Sequence, residues 1–458
     1  MSFLPGLTET TAVADLYVDT NEIHKETIPQ GTIWKIKVPV DSKMIIKTIS
    51  GIAEIFGTEL ANNVEYSFSN WNFSIYAVEE VQLEWRGSDP HPIEEDKDLI
   101  SNRTAKYVYN LHFSLEKMRN SSFDGPNILV IGNKGSGKTA LCRTLCSYSI
   151  KFKSYSPMFV NLNPQEAIFS PPGCVSATPI SDILDVELPI WGQSMTSGAT
   201  ALHTKQPILK LFGLEMIQEN PHRYMQNLDS LSSAINSRMQ KDALVQRSGC
   251  IIDTPPLSNL SDNLSELVHI IQKFRINFVV MLCDPENEDD IKTLEKVAPL
   301  ARTLVGDFFV KIPRLCAVIP SDDVYTRSLQ RGAIREYFYG NPGTALSPFS
   351  LSLDYEELVI WEPKNLLVAG SAGGTAPQNE YLTLSPVEIN PSSVQHALIC
   401  ITHQDKHGKS EDVGNAAILG FALITEVNEK RRKIRVLVPV PGSFPSNACI
   451  LTSYRYLE

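Results

Sequence analysis

The chain has 458 residues, 43% of them hydrophobic and 20% charged, which is the composition of a globular protein and a length that calls for about two to three cores. Its formal net charge of −11 excludes a broad face that grips nucleic acid, since such a face needs clustered Lys and Arg, so any RNA contact is local or indirect. The opening Met1-Ser2-Phe3-Leu4-Pro5-Gly6 lacks a basic segment before a long apolar run, and no apolar run approaches a membrane span, so the expectation is a chain neither exported nor membrane-bound.

From 34 to 86 short alternating runs dominate, such as Trp71-Asn72-Phe73-Ser74-Ile75-Tyr76-Ala77, and predict a small antiparallel β domain. Residues 87–96 are polar, acidic and proline-bearing and read as a linker. From about Asn102 long helices alternate with continuous apolar strands at 127–131, 158–162, 250–252, 278–283 and 308–312, the pattern of a parallel sheet covered on both faces. Leu264, Leu267, Val268 and Ile271 mark one helix face between two of these strands. After Gly340 the texture is β again, with a hairpin-like pair at 421–427 and 434–439, and mobile loops are expected at 369–378 and 403–414.

The most specific signal is Gly132-Asn133-Lys134-Gly135-Ser136-Gly137-Lys138-Thr139, which is G-x-x-x-x-G-K-[ST] placed after the first apolar strand and before the helix-like stretch from Ala140. Glycines let successive N–H groups converge on phosphate, the lysine reaches the outer phosphates, and the threonine hydroxyl holds Mg²⁺ at the positive end of a helix. Gly132, Gly135, Ser136, Gly137, Lys138, Thr139 and Ala140 are therefore the expected contacts of a nucleoside triphosphate, with Thr139 on the metal. Asp253, at the end of an apolar strand, is read in two ways: a carboxylate reaching Mg²⁺ through water, or a turn-initiating residue before Pro255-Pro256. The eight cysteines are scattered singly, and the pair Cys142 and Cys146 has no matching second pair, so they read as buried reduced thiols of an intracellular protein. His403 and His407 with Asp405 are too few for a metal site, and Lys430-Arg431-Arg432-Lys433 reads as a solvated hairpin turn in preference to a localisation signal or RNA contact.

Ile55-Phe56-Gly57-Thr58-Glu59-Leu60, Ile334-Arg335-Glu336-Tyr337-Phe338-Tyr339-Gly340 and the run from Gly420-Phe421 to Pro439 resemble, in order and over nearly the whole chain, the Clp-type polynucleotide 5′-hydroxyl kinase family. The terminal segments, Met1 to Gly6, Asn21-Glu22 with His24-Lys25, and Thr452 to Glu458, are similar to its fungal branch, the ATP-binding subunit of pre-mRNA cleavage factor IA. That resemblance implies an α/β protein in three parts: an N-terminal β-sandwich (1–101), a central P-loop domain on a parallel sheet (102–340) and a small C-terminal α+β or β domain (341–458). It implies ATP with Mg²⁺, a nuclear place in the cleavage and polyadenylation complex, other subunits of that complex as neighbours, and a scaffold subunit that binds the RNA polymerase II C-terminal domain. In the family an acidic residue and a Lys of the first domain cover the adenine. Ile33 and Asn72 stand at those places, so contact there runs through backbone or packing, or Ile33 is simply core.

Transfer of a γ-phosphoryl group to RNA needs a carboxylate for the acceptor's proton and cations over the transferring group. Active relatives carry L-D-x-G-Q where this chain has Leu162-Asn163-Pro164-Gln165, and an amide cannot take that proton. Their T-C-G-W motif, whose Trp clamps the acceptor base, is Thr254-Pro255-Pro256-Leu257 here, and their arginine-bearing lid is Ser321-Asp322-Asp323-Val324-Tyr325-Thr326-Arg327. The resemblance with these departures leads to the expectation of an ATP-binding subunit with no catalytic residues; the alternative is a working polynucleotide 5′-hydroxyl kinase.

Overall fold

The computed structural model describes residues 22–40, 42–87, 91–93, 100–191, 207–341, 343–369 and 384–457. Period-2 alternation at the N-terminal end folds into two facing antiparallel sheets. One runs His24–Ile28, Val81–Gly87, Met44–Ser50, Glu65–Phe68, and the other Thr58–Glu59, Ala53–Ile55, Trp71–Ala77, Ile33–Val38, His91–Ile93. Ile36, Val38, Trp71, Phe73 and Ile75 point into the sandwich against Met44, Ile46 and Phe68, with Phe68, Trp71 and Phe73 stacked. The expected linker is corrected here: its residues His91–Ile93 form a strand that pairs antiparallel with Ile33–Val38, because main-chain pairing does not depend on the polar side chains that suggested a linker.

The central sheet has the order Ile208–Leu211, Cys174–Pro179, Met158–Asn161, Cys250–Asp253, Asn127–Gly132, Phe278–Leu282, Phe309–Ile312. Its last five strands are parallel, and successive residues feed opposite faces. Leu129, Ile131, Val160 and Ile252 meet the helices Pro221–Lys241 and Ser265–Lys273. Ile128, Val130, Phe159 and Ile251 meet the helices Lys138–Lys153 and Ile100–Ser121, the latter through Val108, Leu111 and Leu115. Leu264 and Leu267 are buried as the helical spacing predicted, while Val268 is half-buried and Ile270 takes the inward place beside Ile271. Two antiparallel edge strands, Cys174–Pro179 and Ile208–Leu211, were not anticipated, and the last parallel strand begins at Phe309, after a 3₁₀ turn that leaves Phe308 exposed.

The C-terminal part is a seven-stranded sheet in which Ile418–Asn428 and Lys433–Val438 form the expected hairpin, with Lys430 and Arg431 exposed at its turn. The loop expected at 403–414 is instead the end of the strand Ala397–Asp405 and a short helix, Ser410–Asn415, that buries Val413. The other expected loop, 369–378, lies outside the described residues apart from Ala369, which ends the helix Leu366–Ala369. The helix Asp323–Tyr339 docks the domain: Tyr337 packs on Phe421 and its hydroxyl accepts from the Phe421 N–H at 3.0 Å. No helix among the described residues is long and apolar enough to cross a membrane. All eight cysteines are free and all but Cys316 are buried, which pushes Cys250 and Cys449 up to about 12.

Candidate functional site: the P-loop and its interdomain setting

Strand Asn127–Gly132 delivers the chain to the P-loop, and helix Lys138–Lys153 leaves it. Gly132, Gly135 and Gly137 all have positive φ, but the decisive case is Gly137, at φ 99: a Cβ there would lie 2.9 Å from both Leu315 Cβ and Val318 Cγ2. Lys138 curls over the loop, its Nζ donating to the Asn133 carbonyl at 3.1 Å, and burial lowers its pKa against the pull of Asp253 and Glu166. The loop is braced from outside by Asn133 Nδ2 on Asp290 Oδ1 (2.6 Å) and by Lys134 Nζ on Asp323 Oδ1 (2.7 Å). Arg314 brings a further cation, its Nη2 donating to the Lys134 carbonyl at 3.3 Å.

The Thr139 hydroxyl lies 2.5 Å from Asp253 Oδ2 and 2.8 Å from Glu166 Oε2. One hydroxyl carries one proton and can serve only one of two ionised acceptors. Burial, reinforced by the Glu166 charge, pushes Asp253 up to about 7 against the pull of Lys138 and of the Thr139 hydroxyl. Asp253 Oδ1 and Ser136 Oγ are buried with no hydrogen-bond partner among the described residues. Two carboxylates around a threonine hydroxyl, with an orphaned carboxylate oxygen at a helix N-terminus, are the oxygen donors a hard divalent cation takes beside phosphate. Between the two readings of Asp253, its side-chain bonding to Thr139 favours the cation-facing one.

The other sequence-predicted residues fall into two groups. Ile33 pairs with Tyr76 and Asn72 with Lys37, which puts both on the outer face of the sandwich sheet. The same face carries Ser74, whose hydroxyl donates to the Ala317 carbonyl, and the Asn72 N–H donates to Tyr325 Oη at 2.8 Å. That face therefore lies on the 314–318 loop, whose Leu315 and Val318 flank Gly137. Leu257, where a stacking aromatic was sought, is buried in the central core, and Thr326 donates to the Asp322 carbonyl inside its own helix. Asp322 caps that helix through the Tyr325 N–H, and Asp323 pairs with Lys134, so the two lid acids are engaged rather than directed at a phosphate.

Sequence reading missed Glu166 and Arg314. The signal for Glu166 was the Asn-Pro turn, which returns the chain toward Asn163 three residues later; for Arg314 nothing local pointed to the site.

The helix leaving the P-loop is also the joint between domains. Arg143, Ser147 and Lys151 share one helix face, and Phe56, Thr58 and Glu59 meet them in turn. The Arg143 guanidinium is 5.9 Å from the Phe56 ring, Thr58 Oγ1 is 3.2 Å from Ser147 Oγ, and Glu59 pairs with Lys151. Gly57, at φ 83, sits where a Cβ would be 3.0 Å from the Thr144 carbonyl oxygen. Arg143 is fully buried among Phe56, Trp71 and Trp191, donates to the carbonyls of Asp185 and Leu188, and is pulled down to about 9 by burial.

These features define a P-loop nucleotide-binding protein whose phosphate helix is clamped by an N-terminal β-sandwich. Comparison with known proteins narrows the class. Residues 132–340 match the P-loop model of the mRNA cleavage and polyadenylation factor CLP1, residues 27–122 the N-terminal β-sandwich domain of polyadenylation factor, and residues 346–458 the pre-mRNA cleavage complex II protein Clp1. The mRNA cleavage and polyadenylation factor CLP1 of Vanderwaltozyma polyspora is 54% identical over 460 residues, covering 100% of both chains. That of Saccharomyces cerevisiae is 51% identical over 463 residues, again covering 100% of both. The solved complex of wild-type Clp1p with a Pcf11p fragment superposes with a TM-score of 0.85 at 50% identity, over 96% of this chain and 99% of the other. A second solved structure, of the extended interface between Pcf11p and Clp1p with the basis for ATP loss in a glycine-to-arginine mutant, gives 0.86 at 50%, over 96% and 100%. The chain belongs to the Clp1 family of mRNA cleavage and polyadenylation factors.

Proposed function

We propose that this chain is the Clp1-type subunit of the nuclear pre-mRNA 3′-end cleavage and polyadenylation complex, that it holds ATP with Mg²⁺ as a structural ligand without turning it over, and that it binds a Pcf11-type scaffold subunit. The scaffold partner is supported by the Clp1p–Pcf11p complexes that share the fold at 50% identity. The nuclear setting is supported by the mRNA cleavage and polyadenylation process that names the family. Mg²⁺, when bound, would supply neutralisation of the phosphate charge. Thr139 and Asp253 would hold it, Lys138 and the backbone of residues 132–140 would hold the phosphates, and the face carrying Ile33 and Asn72 would close the base end.

The observation that carries this reading is the clamp on the phosphate helix, from Phe56 to Glu59 against Arg143 to Lys151. A ligand that pins the N-terminus of that helix stabilises the folded chain by mass action, about 2.7 kcal/mol at a hundredfold excess over Kd, and it sits at the joint with the sandwich. Leu257, packed in the core, leaves the acceptor side without a stacking ring at that place.

The test is transfer of label from γ-labelled ATP to a 5′-hydroxyl RNA oligonucleotide. No transfer is expected, and acid extraction of the fresh protein should release mostly ATP. Transfer that Lys138→Ala abolishes would overturn the proposal in favour of a working polynucleotide kinase.

A further inference from the structure

Position 163 holds an amide, yet a carboxylate returns to the same place three residues later. The loop that returns it is fixed by its own hydrogen bonds. Asn161 Oδ1 accepts from the Asn163 N–H (2.9 Å), Asn161 Nδ2 donates to the Glu166 carbonyl (2.8 Å), and the Glu166 N–H donates to the Asn163 carbonyl (3.1 Å). Three side chains from elsewhere hold the same loop by its carbonyls: Tyr224 on Leu162 (2.9 Å), Gln330 on Gln165 (2.9 Å) and Tyr454 on Pro164 (3.3 Å). The outcome is a Glu166 carboxylate with one oxygen on the Thr139 hydroxyl (2.8 Å) and the other on Asn163 Nδ2 (3.1 Å).

An independent observation says what this carboxylate faces. Asp253, 0% exposed, keeps its Oδ1 without a partner among the described residues, while its Oδ2 accepts from the same Thr139 hydroxyl. Among the described residues no group of three or more His, Cys, Asp or Glu side chains gathers to hold a metal alone, so a cation here needs phosphate oxygens to complete its shell. That requirement selects Mg²⁺, which binds through one or two carboxylates plus substrate phosphates.

We infer that Glu166 is the second carboxylate of this chain's Mg²⁺·ATP site, acting with Thr139 and Asp253 and supplying at 166 the charge that position 163 lacks. Asn163 is then a positioning residue, its amide donor orienting the Glu166 carboxylate. The inference rests on the reading that the P-loop holds ATP with Mg²⁺.

The test uses the full chain stripped of nucleotide and a fluorescent ATP analogue titrated with and without MgCl₂. Glu166→Gln keeps shape and removes charge. It should raise the Mg²⁺ concentration for half-maximal retention by about tenfold or more, as loss of a metal-orienting carboxylate does. It should leave metal-free binding equal or tighter, since a negative charge beside the phosphates is gone. A merely structural role would weaken both together, and that result would overturn the inference. The exchange variant N163D/E166Q should return the half-point to within about threefold of the unaltered chain. An unchanged Mg²⁺ half-point in E166Q, with analogue binding intact, would sink the role of Glu166 alone. No analogue binding by the unaltered chain would sink the reading of the site and this inference with it.

Discussion

Gly137→Ala is the sharpest test of how the P-loop is built. Gly137 has φ 99, and its missing Cβ would stand 2.9 Å from Leu315 Cβ and 2.9 Å from Val318 Cγ2. A left-handed backbone costs a residue with a Cβ about 1–2 kcal/mol. An added methyl against packed side chains costs about 1–3 kcal/mol more, for a total of about 2–5 kcal/mol. At about 2–4 °C per kcal/mol for a domain of this size, the nucleotide-free protein should melt about 10 °C lower. Leu315 would keep the offending Cβ even as alanine, so the partner change is Val318→Ala, which alone destabilises by loss of packing but in the double variant removes the Cγ2 that the new methyl would meet. The cycle should therefore show a favourable coupling of about 1–3 kcal/mol between the two positions. Thermal melts of the four proteins measure it. A Gly137→Ala protein within about 1 °C of the unaltered chain, or purely additive losses, would refute the claim that glycine is required by the 314–318 loop as well as by phosphate.

Two further expectations follow from burial. Leu257→Trp, offered as a way to restore a stacking ring, overpacks the central core and should lower stability by about 1–3 kcal/mol without any quenching of the new fluorescence by RNA; a stable variant quenched by an RNA oligonucleotide would contradict the placement. Burial pushes Glu336 up from 4.5 to about 7, against the Asn341 amide that favours its charge. Its protonated form is thus favoured by folding, and the stability it contributes is full below about 4.5 and lost as the pH rises through about 7. Glu336→Gln should be more stable than the unaltered chain at pH 8 and level with it at pH 4, as urea midpoints would show; a gap independent of pH would remove Glu336 as the cause.

The central strands and the P-loop were legible because both are local: apolar runs bounded by turns, and a phosphate loop whose glycines, lysine and threonine lie within eight consecutive residues. What stayed hidden is what depends on distant neighbours. The strands Cys174–Pro179 and Ile208–Leu211 pair at a sheet edge, where polar residues such as Ser176 and Thr178 mask an apolar run. His91–Ile93 belongs to a strand only because Ile33–Val38 offers it an edge. Arg314 reaches the P-loop from 180 residues away. The clamp motif at 55–60 was visible as a family signature, but its use was not, since Phe56, Thr58 and Glu59 acquire partners only when the phosphate helix lies across them.

The departures from the kinase pattern do not weigh equally once the structure is considered. The missing acid at 163 is matched by Glu166 at the Thr139 hydroxyl, so the nucleotide side has carboxylates, cation and glycines in place. The lid acids are taken up by a helix cap at Asp322 and a pairing of Asp323 with Lys134, which closes the helix over the P-loop instead of repelling phosphate. What remains is on the acceptor side: Leu257 is packed inward and Thr326 bonds within its helix, leaving neither an aromatic platform at 257 nor a lid cation at 326. Catalysis of phosphoryl transfer is largely positioning and charge stabilisation, so under the proposed function a site that holds ATP but offers the acceptor no footing at 257 or 326 would bind the first without reacting it with the second. Under the proposed function, inactivity would come from loss of the acceptor's footing, and the bound nucleotide would serve as the ligand that holds sandwich and P-loop domain together.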